Sequence, residues 1–92
     1  MIRSFASRDT EELFEGGSPR KFRSFQGQAE RKLQMLDSAK NLTDLRVPPG
    51  NRLEKLNGDR RGQHSIRIND QWRICFSWRD DGARDVEIVD YH

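Results

Sequence analysis

The spacing of hydrophobic residues changes midway along this 92-residue chain. Between Phe25 and Lys40, apolar residues recur every three or four positions and would form one stripe along a helix. The stripe consists of Phe25, Ala29, Leu33 and Leu36. A shorter helix is predicted from Asp9 to Glu15, because Asp9 can cap its first turn and Glu12 has the spacing of a capping box. Gly16-Gly17 would end this first helix.

After Pro48-Pro49-Gly50 the apolar residues alternate with polar ones, which is typical of β-strands. The segment HSIRIN places Ile66 and Ile68 on one face. In QWRICFSWR, one face carries the large apolar residues Trp72, Ile74, Phe76 and Trp78. The opposite face carries Gln71, Arg73, Cys75, Ser77 and Arg79. Turns are expected at Asn57-Gly58-Asp59 and at Asp81-Gly82, and the last strand is expected from Asp85 to Tyr91.

These elements predict one α+β domain that covers residues 1–92. Ile2 to Phe5 would add a short N-terminal strand. Because the two helices precede the run of strands, they are expected to pack on one face of a mostly antiparallel, four- to five-stranded sheet. The apolar face of the Trp72 strand would meet the second helix. The opposite face would then be polar and partly open, with Arg67 and Arg73 on it.

Composition excludes several classes of protein. Hydrophobic residues make up 33% of the chain and charged residues 35%, yet the apolar positions are patterned enough for a folded domain. The single cysteine, Cys75, excludes an internal disulfide and suits a reducing compartment. No apolar run approaches the roughly 20 residues of a membrane span. The N-terminus has no signal-peptide core. A cytoplasmic protein without a membrane partner is therefore expected.

Charge and ligand spacing bear on the kind of partner. The formal net charge is only +2, but basic residues concentrate in the middle of the chain. This middle would suit phosphate groups, and a solvated surface of mixed charge is the alternative. Two histidines and one cysteine, His64, His92 and Cys75, lie too far apart in the sequence for ligand spacing. No metal and no cofactor are therefore predicted.

The strongest candidates for chemistry are an arginine and the last residues of the chain. Arg73 would either hold a phosphate through two hydrogen bonds or lay its stem over apolar residues. His92 is an acid or base near neutral pH, and Tyr91 can stack on a nucleobase. Alternatively, Tyr91 closes the sheet end and His92 frays. Together these groups suit metal-free cleavage of RNA, which needs a base for the ribose 2′-OH, an acid for the leaving oxygen and a cation for the phosphate.

Three segments of the chain resemble the HigB-type toxins, also called plasmid-maintenance killer proteins, of the RelE/ParE toxin superfamily. They are MIRSF at the start, NRLEKLNGDRRGQHSIRINDQWRICFSW in the middle and VEIVDYH at the end. The pattern covers nearly the whole chain, and the middle segment with the terminal DYH is its most specific part. The resemblance implies the RelE-like fold and ribosome-dependent cleavage of mRNA in the decoding site.

The resemblance also implies site residues and partners. Arg73, Asp90, Tyr91 and His92 are carried over as catalytic residues, with Asp90 orienting His92, so the chain is expected to end in its active site. The basic middle of the chain, apart from the resemblance, supplies the residues expected to bind RNA, which are Lys55, Arg60, Arg61 and Arg67; plain solvation is the alternative for Arg60 and Arg61. The implied partners are the 70S ribosome with its 16S rRNA and mRNA, and a HigA-type antitoxin. The antitoxin would carry a helix-turn-helix and would be the route to operator DNA.

The sequence departs from the HigB-type pattern at two positions. Some members have a histidine where Glu54 stands and a lysine where Asn57 stands. A carboxylate is also a competent general base. Our hypothesis is therefore that Glu54 takes the proton of the 2′-OH, His92 protonates the leaving oxygen and Arg73 steadies the phosphate. The alternative is that Glu54 only pairs with a nearby arginine.

Three other functions are compatible with the pattern. The first is a ParE-like inhibitor of DNA gyrase that acts by binding alone, although such a protein has no use for the terminal DYH. The second is an RNA or ribosome binder without catalysis, for which a basic face suffices. The third is a weakened toxin that retains mainly antitoxin and ribosome binding, because of the altered positions Glu54 and Asn57.

Overall fold

The computed structural model describes residues 1–91, and its centre is an antiparallel sheet. Four strands follow one another across the sheet in chain order. They are β1 (Glu54–Lys55), β2 (His64–Arg67), β3 (Trp72–Arg79) and β4 (Gly82–Asp90). Two helices, α1 (Arg8–Phe14) and α2 (Gln26–Ser38), precede the sheet. The α+β class predicted from the sequence is confirmed. Within residues 1–91, no helix has the length and apolar character needed to cross a membrane.

The first helix begins one residue earlier than the sequence predicts. Its N-cap is Ser7, whose hydroxyl accepts a hydrogen bond of 3.2 Å from the backbone N–H of Thr10. The prediction of Asp9 as the cap is therefore wrong. Asp9 lies inside the first turn instead, where its negative charge still favours the helix N-terminus. The helix ends before Gly16, which has a φ of +101° that a glycine adopts without strain.

The second helix buries the predicted apolar stripe. Ala29, Leu33 and Leu36 are fully buried, and Phe25, the residue just before the helix, is 7% exposed. They pack into one core with the inward-facing residues of the sheet, including Ile66, Ile68, Ile74, Phe76, Val86 and Ile88. Helix α2 therefore covers one sheet face, as expected from its spacing.

Aromatic rings fix the start of β3. The half-buried ring of Trp72 lies 5.9 Å from the ring of Phe22 and 5.0 Å from the ring of Phe25, between ring centroids. Phe22 and Phe25 belong to a 3-10 segment, Arg20–Phe25, that leads into α2. Such aromatic pairs contribute about 0.5–1.5 kcal/mol each beyond simple burial. The cluster anchors the strand that carries Arg73.

The N-terminal segment pairs with β4. Ile2 bridges to Ala83 and Phe5 bridges to Val86, both in parallel, so the predicted first strand consists of two isolated bridges. Strand β4 begins at Gly82, which is earlier than the predicted Asp85. Asp80 and Asp81 have φ values of 52° and 69° and form the two-residue turn between β3 and β4.

The polar sheet face is less open than the sequence suggests. Cys75 is fully buried and Arg73 is only 7% exposed, although both were expected on a partly open face. Glu87 stands opposite Cys75 in the sheet. The Glu87 carboxylate forms an ion pair with Arg60, with 3.3 Å between Oε1 of Glu87 and Nη2 of Arg60. Burial raises the pKa of the Cys75 thiol. This face is therefore closed at its centre.

Candidate active site

A cleft of about 310 Å³ opens on the polar face of the sheet. It lies where the segment before β1, the β2–β3 turn and the end of β4 approach one another. Its lining residues are Arg52, Glu54, Arg67, Asn69, Asp70, Arg73 and Tyr91. Three arginines face two carboxylates there, so the formal charge of the lining is positive. Four of the residues predicted from the sequence meet in this cleft: Glu54, Arg67, Arg73 and Tyr91.

Arg73 is held on two of its three guanidinium nitrogens. Its Nε donates a hydrogen bond of 2.8 Å to the hydroxyl of Ser65. Its Nη2 donates bonds of 2.6 Å to the carbonyl oxygen of Arg52 and 3.3 Å to that of Ser65. A phosphate held through two of its nitrogens, as the sequence suggested, would have to break one of these bonds. Within residues 1–91, Nη1 is the nitrogen of Arg73 that makes none of these bonds.

The carbonyl of Arg52 is positioned by an unusual backbone conformation. Arg52 has φ 45° and ψ 57°, in the left-handed region that non-glycine residues rarely adopt. The preceding residue, Asn51, is fully buried and donates from its Nδ2 to the carbonyls of Leu45 and Val47 at 3.1 and 3.4 Å. Its Oδ1 accepts a bond of 2.5 Å from Nζ of Lys32 on α2. Asn51 thus ties the Arg52 segment to helix α2.

A carboxylate and an aromatic ring stand beside the Arg73 guanidinium. Oε1 of Glu54 lies 3.9 Å from Nη2 of Arg73, and the Glu54 side chain is 52% exposed. The ring centroid of Tyr91 lies 5.8 Å from Cζ of Arg73, within the range of a cation–π contact. Tyr91 is 38% exposed, so one part of its ring faces solvent. A base, a cation and a stacking surface are therefore adjacent.

The β2–β3 turn forms one wall of the cleft. Oδ1 of Asn69 accepts hydrogen bonds of 2.8 Å from the backbone N–H groups of Gln71 and Trp72. This side-chain bonding is the usual way in which an asparagine stabilises a turn. Arg67 forms an ion pair with the exposed Asp70 in the same turn. Since such exposed pairs contribute little to stability, Arg67 can exchange Asp70 for another anion at low cost.

Other predicted site residues lie outside the cleft. Lys55 is paired with His64 and projects to the sheet face opposite Glu54. Arg60 is engaged by Glu87 and by Gln63, to which its Nη1 donates at 3.1 Å. Arg61 is exposed on the turn before β2. The Asp90 carboxylate accepts a hydrogen bond of 3.0 Å from Nε2 of Gln71. His92 lies outside the described residues.

His64 is the histidine that the structure describes, and it is on the core side of the sheet. Its ring stacks on Phe76 with centroids 6.3 Å apart. Its Nδ1 is buried and has no hydrogen-bond partner within residues 1–91. Burial, and then the positive charge of Lys55, lower the pKa of His64 below its ordinary value. The neutral form is therefore favoured, and this ring does not reach the cleft.

Sequence reasoning missed four residues that line or support the cleft: Arg52, Ser65, Asn69 and Asp70. The spacing of Ser65 and Arg67 on one strand face was a usable signal, because Arg67 was already a candidate. No local signal marks Arg52, since its carbonyl and not its side chain contacts Arg73. Within residues 1–91, no group of three or more histidine, cysteine or acidic residues is placed to hold a metal ion.

Solved structures with the same architecture establish the class of fold. Two YoeB–YefM complexes from Staphylococcus aureus match all of this chain and 98% of the other chain, with TM-scores of 0.58 and 0.59. Sequence identity to both is 19%, so the likeness concerns the fold alone. The sheet and helices described above therefore share the α+β fold of these two structures.

Sequence comparison identifies the family. A family model described as the RelE-like toxin of the type II toxin–antitoxin system HigB matches residues 3–92. The chain therefore belongs to the HigB-like toxin family, as its three sequence segments indicated. It is similar to Toxin HigB-1 of Vibrio cholerae serotype O1, with 54% identity over 50 residues, and to an uncharacterised protein of Haemophilus influenzae, with 39% identity over 58 residues.

These two similarities are partial. The match to Toxin HigB-1 covers 54% of this chain and 53% of the relative, and the match to the Haemophilus influenzae protein covers 63% and 57%. The chain thus spans about half the length of the curated relatives it matches.

Proposed function

We propose that this chain is the toxin of a type II toxin–antitoxin system and that it cleaves mRNA on the ribosome without a metal ion. Membership of the HigB-like family supports the toxin role. One observation carries the proposed chemistry. The buried guanidinium of Arg73 lies in an open cleft with the Glu54 carboxylate 3.9 Å from its Nη2 and the Tyr91 ring 5.8 Å from its Cζ.

The proposed reaction is an internal transfer at one phosphodiester. Glu54 accepts the proton of the ribose 2′-OH, and the 2′-oxygen forms a bond to phosphorus while the bond from phosphorus to the 5′-oxygen breaks. The products are a 2′,3′-cyclic phosphate and a 5′-hydroxyl. Arg73 offsets the charge that develops on the phosphate oxygens. His92, assigned from the sequence pattern, donates the proton that the leaving 5′-oxygen takes up.

The size of the cleft supports a role for the ribosome. Its volume of about 310 Å³ is at the small end of the usual range for ligand sites, about 300–1,000 Å³. Such a space suits one nucleotide with its phosphate, stacked on Tyr91. Further binding energy then has to come from surfaces outside the cleft. The exposed Arg61 is one candidate for contact with ribosomal RNA phosphates.

The proposed protein partner is a HigA-type antitoxin with a helix-turn-helix. The titles of the two solved relatives describe complexes of a toxin with its antitoxin, which is a precedent for such pairing on this fold. The antitoxin would hold the toxin inactive in the cytoplasm. Its helix-turn-helix would also connect the complex to operator DNA.

Primer extension on a defined mRNA in purified translating ribosomes tests the activity. Wild type should cut within the decoding-site codon, and Glu54→Gln should cut at least about 100-fold more slowly because an amide is no general base. Asp59→Asn is the matched control, since this exposed carboxylate lies outside the cleft. Arg73→Ala and a chain that lacks His92 should also cleave about 100-fold more slowly or worse, with a residual rate that single-turnover assays can follow.

The same preparations separate the alternatives. Intact mRNA with wild-type protein, together with inhibited supercoiling by purified gyrase, would replace the nuclease proposal with a ParE-like mode of action. Cleavage that is unchanged by Glu54→Gln would leave the nuclease standing and remove Glu54 as the base. Thermal unfolding of every variant shows whether a loss of cleavage reflects a loss of fold.

A further inference from the structure

We infer that Ser65 is a positioning residue for the reaction: its hydroxyl sets the orientation of the Arg73 guanidinium and so determines which nitrogen meets the phosphate. This inference rests on the proposed function for its effect on rate, but the contact itself can be tested without RNA. Ser65 is fully buried, and its Oγ accepts the 2.8 Å hydrogen bond from Nε of Arg73.

The register of the sheet creates this contact. In the pairing of β2 with β3, Ser65 stands opposite Cys75, and Arg67 stands opposite Arg73. Ser65 is therefore the diagonal neighbour of Arg73 on the same sheet face, a distance that a long side chain spans easily. Because both strands are paired on both sides in the sheet, neither residue moves without disturbing several backbone hydrogen bonds.

Two anchors define the guanidinium plane. Ser65 holds Nε, and the carbonyl of Arg52 holds Nη2 at 2.6 Å. A planar group bonded at two of its nitrogens has no remaining freedom to rotate in its own plane. Within residues 1–91, Nη1 is then the guanidinium nitrogen that donates to neither Ser65 nor Arg52. Nη1 is thus the donor presented to a phosphate oxygen, through one contact and not two.

Removing the Ser65 hydroxyl is expected to act through Arg73. The Nε–H would lose its acceptor, and the guanidinium would gain alternative orientations in which Nη1 no longer faces the phosphate. Productive geometry would then be reached less often, which lowers the rate at saturating substrate more than it weakens binding. Ser65→Thr keeps a hydroxyl at the same position and should restore most of the rate.

A double-mutant cycle separates positioning from a general structural role. Ser65→Ala should slow single-turnover cleavage on saturating ribosome complexes by about 10- to 100-fold. In an Arg73→Ala background the same change should alter the residual rate less than about twofold, because there is nothing left to position. Ser77→Ala is the matched control, a half-buried serine on β3 that is not among the hydrogen-bond partners of Arg73 within residues 1–91.

A measurement that needs no RNA runs in parallel. In wild type, the Nε–H signal of Arg73 in a ¹⁵N–¹H NMR spectrum should exchange with water more slowly than that of the exposed Arg79. Ser65→Ala should remove this protection, Ser65→Thr should keep it, and Ser77→Ala should leave it unchanged. The signal is observable whether or not the chain cleaves mRNA, so the inference and the proposed function fail separately.

Two results would overturn the inference. One is that Ser65→Ala slows cleavage by the same factor in the wild-type and the Arg73→Ala backgrounds, which would mean that Ser65 supports the fold in general. The other is an Arg73 Nε–H signal whose exchange does not change when the hydroxyl is removed. If wild type cleaves nothing, the proposed function is wrong, and the exchange measurement alone decides the positioning role.

Discussion

The carbonyl oxygen of Arg52 accepts a 2.6 Å hydrogen bond from Nη2 of Arg73, which lies 21 positions later in the chain. One arginine thereby holds another through its backbone, at a much shorter distance than the 3.9 Å that separates Nη2 of Arg73 from Oε1 of Glu54. The bond joins the segment before β1 to the centre of β3.

Arg73→Lys should lose activity although it keeps the positive charge. A lysine amine is a single point donor and cannot bond to Ser65, to the Arg52 carbonyl and to a phosphate in the geometry of a planar fork. We expect the cleavage rate on ribosomes to fall by about 100-fold or more. Arg79→Lys, at the exposed end of the same strand, is the control. A rate for Arg73→Lys within about threefold of wild type would show that charge alone suffices.

Substitutions at Arg52 should separate its backbone from its side chain. Arg52→Gly should keep the free energy of unfolding or raise it by up to about 1 kcal/mol, because glycine adopts a φ of 45° without strain. Arg52→Val should lower it by about 1–2 kcal/mol, because a β-branched residue is disfavoured there. Urea unfolding of both variants measures the difference. Equal stability of the two would contradict the left-handed conformation at this position.

Asn51→Ala should destabilise the fold by about 2–3 kcal/mol, because it leaves buried carbonyls and the Lys32 amine without their partner. Desolvation, followed by the charges of Arg31 and Arg67, lowers the pKa of Lys32, whose amine is one of the groups that Asn51 holds. Urea unfolding is the measurement. Asn57→Ala, at an exposed turn position, should change the free energy of unfolding by less than about 0.5 kcal/mol. Similar effects of the two changes would rule out the anchoring role of Asn51.

His64 should make the fold less stable in mild acid. Because its pKa is lowered in the folded state, the unfolded chain binds the proton more readily. The stabilising contribution is therefore present above the unfolded pKa of about 6.5 and is lost as the pH falls through the folded value. Chemical unfolding between pH 7.5 and pH 5 should show a smaller loss of stability in His64→Gln than in wild type. The opposite order would mean that the protonated ring is stabilised in the fold.

Spacing along the sequence predicted most elements because their periods are local properties of the chain. The stripe of Phe25 to Leu36 occupies one side of a helix whatever surrounds it, and the alternation around Trp72 defines two strand faces. The sequence also singled out Arg73, since a long cation between core aromatics needs an explanation. It misassigned the cap of α1, because Ser7 and Asp9 both have capping side chains and only backbone conformation distinguishes them.

The tertiary structure decided what surrounds Arg73. The diagonal contact with Ser65 depends on strand register, and the bond to Arg52 depends on a left-handed residue far away in the sequence. Neither hydrogen bond can be predicted from a repeating pattern in the sequence, because each joins segments that only folding brings together. By itself the sequence determined the elements, the core and the family pattern. Only the packed structure determined which nitrogens of Arg73 are hydrogen-bonded, because that depends on distances between segments that no local pattern encodes.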